Sequence, residues 1–271
     1  MHNSIALFLL GIGCTAFAQP VVDLLPDMIV DPGFLQNHEI RADIKPGKVH
    51  LAFSNATANI GDGPMHIYGV KPKDKHADDE LTQAVKQRVF RSDGSHFNRK
   101  AGQFVYHPSH NHTHFEGWAL YRLREILPDD GVGEIVGTSK KTSFCLLDSF
   151  HYDAELPNSP ANPVYAVCDN QAQGISVGYE DVYDKSIPGQ WIEVTNLPQG
   201  EYWLESVVDP DDNVLEKDET NNVSRIKVLI EHEFEPGPGP GPEPTPSGVF
   251  AILQQLIEGL LELIRSLFGG R

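Results

Sequence analysis

Short runs of β-favouring residues, each closed by a turn signal, fill this chain from residue 19 to residue 231, and no long segment there repeats apolar residues with a helical period. Candidate strands fall at 49–53, 65–70, 85–91, 104–106, 115–126, 134–147, 190–194, 201–209 and 222–231. Turns separate them at Asn59-Ile60-Gly61-Asp62-Gly63-Pro64, Ser92-Asp93-Gly94, Pro128-Asp129-Asp130-Gly131, Pro198-Gln199-Gly200 and Pro210-Asp211-Asp212-Asn213. Residues 24–27 and 30–33 read as extended, turn-rich chain. The charged stretch 71–80 and the Pro-, Asn- and Ser-rich stretch 149–163 read as loops. The pattern predicts an all-β, sandwich-like domain of short strands with long loops.

Both ends of the chain depart from that pattern. Residues 1–18 are nearly all apolar from Ile5 onward and close on Ala16-Phe17-Ala18, a small-x-small site. They are expected to be a secretory signal peptide, placing the mature chain outside the cell or in a periplasm. The folded domain is then 19–233, followed by a Pro/Gly linker at 234–248 and a tethered amphipathic helix at 249–268. In that helix Phe250, Leu253, Ile257, Leu260, Ile264 and Leu267 recur at steps of three and four. So short a helix is marginal alone, which predicts self-association or contact with a membrane surface. Its charges argue against a span. Signal cleavage removes Cys14 and leaves Cys145 and Cys168. In an oxidising compartment these are expected to form one disulfide, two buried thiols being the alternative.

The loudest chemistry is Tyr106-His107-Pro108-Ser109-His110-Asn111-His112-Thr113-His114. On an extended strand His110, His112 and His114 would share one face. Three neutral imidazoles converging there suit a borderline divalent metal: copper, zinc, nickel or iron. The blander reading is an exposed His-rich loop, but this stretch sits mid-chain between aromatics. The formal net charge is −17, from 21 basic and 38 acidic residues. That argues against nucleic acid as a partner, and a field of this sign would concentrate cationic ligands such as amines.

Two further residues gain meaning beside a metal: Lys141 in Lys141-Thr142-Ser143-Phe144-Cys145-Leu146, and Tyr183 in Gly178-Tyr179-Glu180-Asp181-Val182-Tyr183. Alone, each is bland. With the histidines they resemble the lysyl oxidase catalytic domain. The resemblance runs from Leu25-Pro26-Asp27 to about Val228. It is carried also by Tyr165-Ala166-Val167-Cys168, Gln173-Gly174-Ile175-Ser176, Gln190-Trp191-Ile192, Gly200-x-Tyr202 and Glu216 with Asn221-Asn222.

The resemblance implies a secreted copper amine oxidase. His110, His112 and His114 would bind copper, and Lys141 and Tyr183 would cross-link oxidatively into lysine tyrosylquinone. Such an enzyme oxidises primary amines, or the lysine side chain of a protein substrate, to aldehydes with dioxygen, releasing ammonia and hydrogen peroxide. The organic steps belong to the cofactor; the protein positions it. Leu120 stands where animal members carry a histidine, so a proton acceptor must be found elsewhere, among His107, His151 and Asp181. Ser109 replaces a cysteine of the animal proteins, which leaves Cys145 and Cys168 to each other. The competing readings are a secreted copper- or zinc-binding protein on the same scaffold without a quinone, and an assembly protein acting through its tail helix.

Overall fold

The computed structural model describes residues 19–70, 74–75, 81–108 and 111–231, with the backbone alone at 74, 75 and 81. The expected signal peptide, His110, most of the charged loop at 71–80, the linker at 234–248 and the helix at 249–268 lie outside the described residues.

Among the described residues four antiparallel sheets enclose one core, as the all-β expectation requires. The largest runs His112–Phe115, His96–His107, Leu81–Arg91, Met65–Gly69 and Gln173–Ile175, with Asp23–Leu24 and Asp74–Lys75 also paired to Leu81–Arg91. A second orders Gly131–Thr138, Ala119–Leu127, Gly200–Val208 and Val223–Ile230. A third orders Phe150–His151, Tyr179–Tyr183, Asn55–Asn59 and Met28–Val30. The smallest orders Trp191–Glu193, His50–Phe53 and His38–Arg41.

Period-two patterning decides which face each strand buries. In Ala119–Leu127 the alternate residues Ala119, Tyr121 and Leu123 are buried, while Leu120, Arg122 and Arg124 face outward. In Val223–Ile230, Ile226, Val228 and Ile230 go in while Arg225, Lys227 and Leu229 stay out. The inward set joins Phe53, Phe104, Phe115, Trp118 and Phe144, each at most 1% exposed. Trp118 keeps its polar edge satisfied, Nε1 donating to Thr57 Oγ1 at 3.2 Å.

The structure corrects three expectations. The stretch 115–126, expected to continue the histidine strand or pair beside it, does neither beyond Phe115. Gly117, at φ +72°, breaks it, and Ala119–Leu127 crosses to the second sheet. The left-handed backbone favours glycine there, and a Cβ would also crowd Asp211 Oδ2 at 3.2 Å. The extended reading of 30–33 gives way to a short helix, Pro32–Leu35. Asp31 caps it, its Oδ1 accepting from Gly33 N at 2.7 Å, and Pro32 opens the first turn. Finally, the strand expected at 134–147 ends at Thr138, leaving Lys141 on irregular chain.

Glu180 gives the fold a pH dependence. It is 5% exposed, and its Oε2 has no hydrogen-bond partner among the described residues. Burial, then the charge of Asp31, pushes its carboxyl from 4.5 to about 7. A raised folded-state value means its contribution is fully present below 4.5 and lost as pH rises through about 7. Thermal stability is therefore expected to fall between pH 5 and pH 8. Glu180→Gln should flatten that slope and gain about 1–3 kcal/mol at pH 8. An unchanged slope in a melting series would place its source elsewhere.

Candidate active site

The histidine strand is held on both edges. His112–Phe115 pairs with His96–His107, setting His112 opposite His107 and His114 opposite Val105. On the other edge Thr113 N donates to the Cys168 carbonyl at 3.2 Å, and Phe115 and Phe144 exchange backbone bonds. The shared strand face expected for three histidines begins at His112. Asn111 before it lies at φ +54°, donates from N to the His107 carbonyl at 2.9 Å, and accepts from Tyr106 Oη at 2.7 Å. Asn111 interrupts strict alternation with a left-handed backbone, and His112 and His114 sit two apart on one strand, on the same face.

Those two rings aim at one point. Their Nε2 atoms are 2.8 Å apart and their centroids 4.7 Å, and the His107 ring lies 4.7 Å from that of His114. His114 Nδ1 faces Ser143 Oγ at 3.4 Å, which fixes the ring from behind. His114 is 9% exposed. Two imidazole nitrogens converging in a half-buried place fit a borderline divalent cation. Among the described residues no group of three or more His, Cys, Asp or Glu side chains assembles for a metal.

Lys141 and Tyr183 meet beside the histidines. The chain after Thr138 runs along residues 115–118, with Trp118 N donating to the Thr142 carbonyl at 3.0 Å. Lys141 Nζ lies 5.2 Å from the Tyr183 ring centroid and 4.7 Å from that of Phe144. The Tyr183 hydroxyl is clamped on the backbone of one residue, accepting from Cys145 N at 2.8 Å and donating to Cys145 O at 2.9 Å. Its ring stands edge-on to Phe144 at 4.8 Å. Lys140, by contrast, is exposed while Lys141 is half-buried.

The stem of Lys141 rests on Gly189, where a Cβ would sit 3.1 Å from Lys141 Cδ at φ +93°. Ser139 Oγ completes the rest, accepting from Lys141 N at 3.2 Å and donating to the Gly189 carbonyl at 3.1 Å. Gly189→Ala is expected to cost about 1 kcal/mol of stability through its left-handed backbone and to push the lysine off the ring. Trypsin cleavage after Lys141 should speed up in that variant. A cleavage rate equal to the parent's would mean the stem does not depend on the glycine.

Electrostatics inside this corner favour neutral groups. Burial pulls the Lys141 amine below its ordinary value, although the Asp181 charge opposes this. Burial pushes the Asp181 carboxyl well up, against hydrogen bonds from Leu147 N and Ser149 Oγ. Tyr183 is likewise pushed well up by burial, so its phenol keeps its proton at neutral pH. His151 lies apart: its ring packs 4.0 Å from Tyr179 and its Nε2 donates to the Pro160 carbonyl at 3.2 Å. Leu120 faces a different cavity, with Gly102 and Asp211.

One cavity of about 360 Å³ collects these groups: His112, His114, Lys141, Asp181 and Tyr183, with Cys145 and Cys168 in its wall. The two cysteines form the disulfide expected of them, with Cα atoms 5.5 Å apart. The lysyl oxidase family model matches residues 69–235, a span that holds every residue of this cavity. The chain belongs to the lysyl oxidase family. Lysyl oxidase homolog 1 of Homo sapiens is 31% identical over 207 residues, covering 75% of this chain and 33% of that protein. Lysyl oxidase homolog 2 of Gallus gallus is 34% identical over 136 residues, covering 49% and 16%. Lysyl oxidase homolog 3 of Homo sapiens is 27% identical over 190 residues, covering 65% and 24%. This lysyl oxidase chain thus spans a third or less of the length of those curated relatives.

Two supporting residues escaped the sequence reading. Gln173 was visible only as part of a family motif, and Gly189 only as the residue before Gln190-Trp191. Neither type announces a role by itself. Both act by contact with chain remote in sequence, which no local pattern encodes.

Proposed function

We propose that this protein is a secreted, copper-dependent amine oxidase that converts primary amines or peptidyl lysine to aldehydes with dioxygen, releasing ammonia and hydrogen peroxide. The supporting observation is the single cavity that holds His112, His114, Lys141, Asp181 and Tyr183 together. His110, His112 and His114 would hold copper through neutral imidazoles. Copper and lysine tyrosylquinone, made from Lys141 and Tyr183, would supply the electron sink for the oxidation. A metal carrier on the same scaffold would leave Lys141 and Tyr183 without a role.

The chain's own residues supply position and proton transfer. Burial favours the uncharged form of Lys141, which has the free lone pair that bond formation to an oxidised ring requires. The clamp on Cys145 fixes the direction of the Tyr183 ring. Asp181 is the cavity carboxylate placed to take the proton from the substrate carbon that bears the amine. Burial raises its affinity for protons, and it serves as the base in its ionised form. Leu147, Val182, Ile187 and Pro188 line the rest and keep water from the reacting carbon. Residues 1–18 would export the chain, in keeping with its disulfide. The linker at 234–248 would tether the 249–268 helix for self-association or membrane contact.

The test is the copper-loaded full chain with a simple primary amine, read by peroxide release and a redox-cycling quinone stain. His112→Ala is expected to drop copper below one per chain and abolish peroxide. One tight copper per chain in that variant would move the metal elsewhere. Full copper without peroxide or stain in the parent would leave the carrier reading in place.

A further inference from the structure

The larger cavity is not the one that holds the chemistry. It measures about 670 Å³ and lies among Pro64, Phe90, Pro160, Val164, Val167 and Val177. At its floor His66 Nδ1 meets Tyr165 Oη at 2.9 Å. Burial holds His66 down at about 4, so the ring is neutral at physiological pH. Asp169 is the one ionisable carboxylate on the wall, and its Oδ1 is already bonded to Gln171 N and Ala172 N. A mostly apolar concavity with a few fixed polar groups is the usual form of a binding site.

Its position relates it to the proposed oxidase. Val167 lines this cavity, and Cys168, the next residue, lines the one with Lys141 and Tyr183. The wall between them is firmly anchored. Asp148 Oδ2 accepts from Val164 N at 2.7 Å and Tyr165 N at 3.1 Å, and the disulfide holds Cys168. Yet Val164 and Val167 stand 63% and 61% exposed. Valines held open on a rigid wall beside a reaction cavity are surface waiting for a partner.

We propose that this cavity takes an apolar side chain of the protein substrate, a near neighbour in sequence of the lysine being oxidised. The proposal rests on the amine-oxidase reading above. A chain whose lysine enters beside Cys168 carries its neighbours about 3.3–3.6 Å further per residue, so one or two residues bring an apolar side chain over Val167. The wall's one carboxylate, Asp169, is already bonded to backbone N–H groups; a lysine there would find no other counter-ion, and a glutamate would find none. The protein is thereby a selector of lysines set in apolar sequence.

The experiment compares three substrates on the copper-loaded full chain: a small primary amine, a peptide with lysine between leucines, and one with lysine between serines. The leucine peptide is expected to win over the serine peptide by roughly 10-fold or more in kcat/KM, which is about what one well-placed apolar side chain supplies. Val164→Asp and Val167→Ser should each shrink that preference several-fold, with turnover of the small amine as the check on the site itself. Equal use of both peptides by the parent, or a preference untouched by both substitutions, overturns the proposal. If the small amine is not oxidised, the oxidase reading has failed and calorimetric titration of the two peptides still decides the subsite. Equal peptide binding there, or a concentration-dependent dimer that Val164→Asp abolishes, would assign the cavity away from substrate.

Discussion

Lys141→Ala and Tyr183→Phe are each expected to abolish amine-dependent peroxide release, while Lys140→Ala leaves it near the parent's level. The contrast is sharp because the two lysines are neighbours in sequence and opposites in environment. Lys140 is exposed; Lys141 is half-buried with its Nζ 5.2 Å from the Tyr183 ring. An amine attacks an oxidised ring only when uncharged, and burial lowers the Lys141 pKa. The hydroxyl of Tyr183, bonded to both the backbone N and the backbone O of Cys145, holds its ring in place. Mass spectrometry of copper- and oxygen-exposed protein should find the Lys141 and Tyr183 peptides joined. The joined species should vanish in both single variants and persist in Lys140→Ala. Separate peptides from an active protein would sink the cofactor assignment.

The class of fold was legible because it depends on periods. The strands expected at 201–209 and 222–231 stand in the structure to within a residue at each end. What was not legible depends on single backbone choices. Asn111 and Gly117 both take positive φ, and each redirects a strand that composition alone would continue. Asparagine and glycine are common outside such turns, so their presence does not announce the conformation.

The site shows the same division. The pairing of Lys141 with Tyr183 was read through resemblance, because 42 positions separate them and no period links them. Asp181 was one of three candidates for the base. The structure places it in the cavity and puts His151 against Tyr179 instead. A sequence offers the side chains; only the fold says which carboxylate loses its water.

Gln173→Leu is expected to lower stability by about 3–5 kcal/mol and to cost cross-link yield beyond what that loss explains. Gln173 is fully buried. Its Oε1 accepts from Leu146 N at 3.1 Å, and its Nε2 donates to the carbonyls of Thr113 and Asp169, both at 2.8 Å. One side chain therefore joins the histidine strand, the segment leading from Lys141 through Cys145, and the segment carrying Cys168. Leucine has a similar shape and no polar atom, so one donor and two acceptors stay buried without their partner. Each such group costs about 1–3 kcal/mol, less whatever relaxation recovers. A fold-only role predicts the same loss from any equally destabilising change. Val228→Ala supplies the comparison, since Val228 is buried in a different sheet and its truncation costs about 2–4 kcal/mol. At matched loss of melting temperature, Gln173→Leu should bind copper more weakly and join Lys141 to Tyr183 less completely than Val228→Ala. Equal yields in the two variants would reduce Gln173 to an ordinary member of the core, and the register of the histidine strand would then be set by its backbone partners in His96–His107, Cys168 and Phe144.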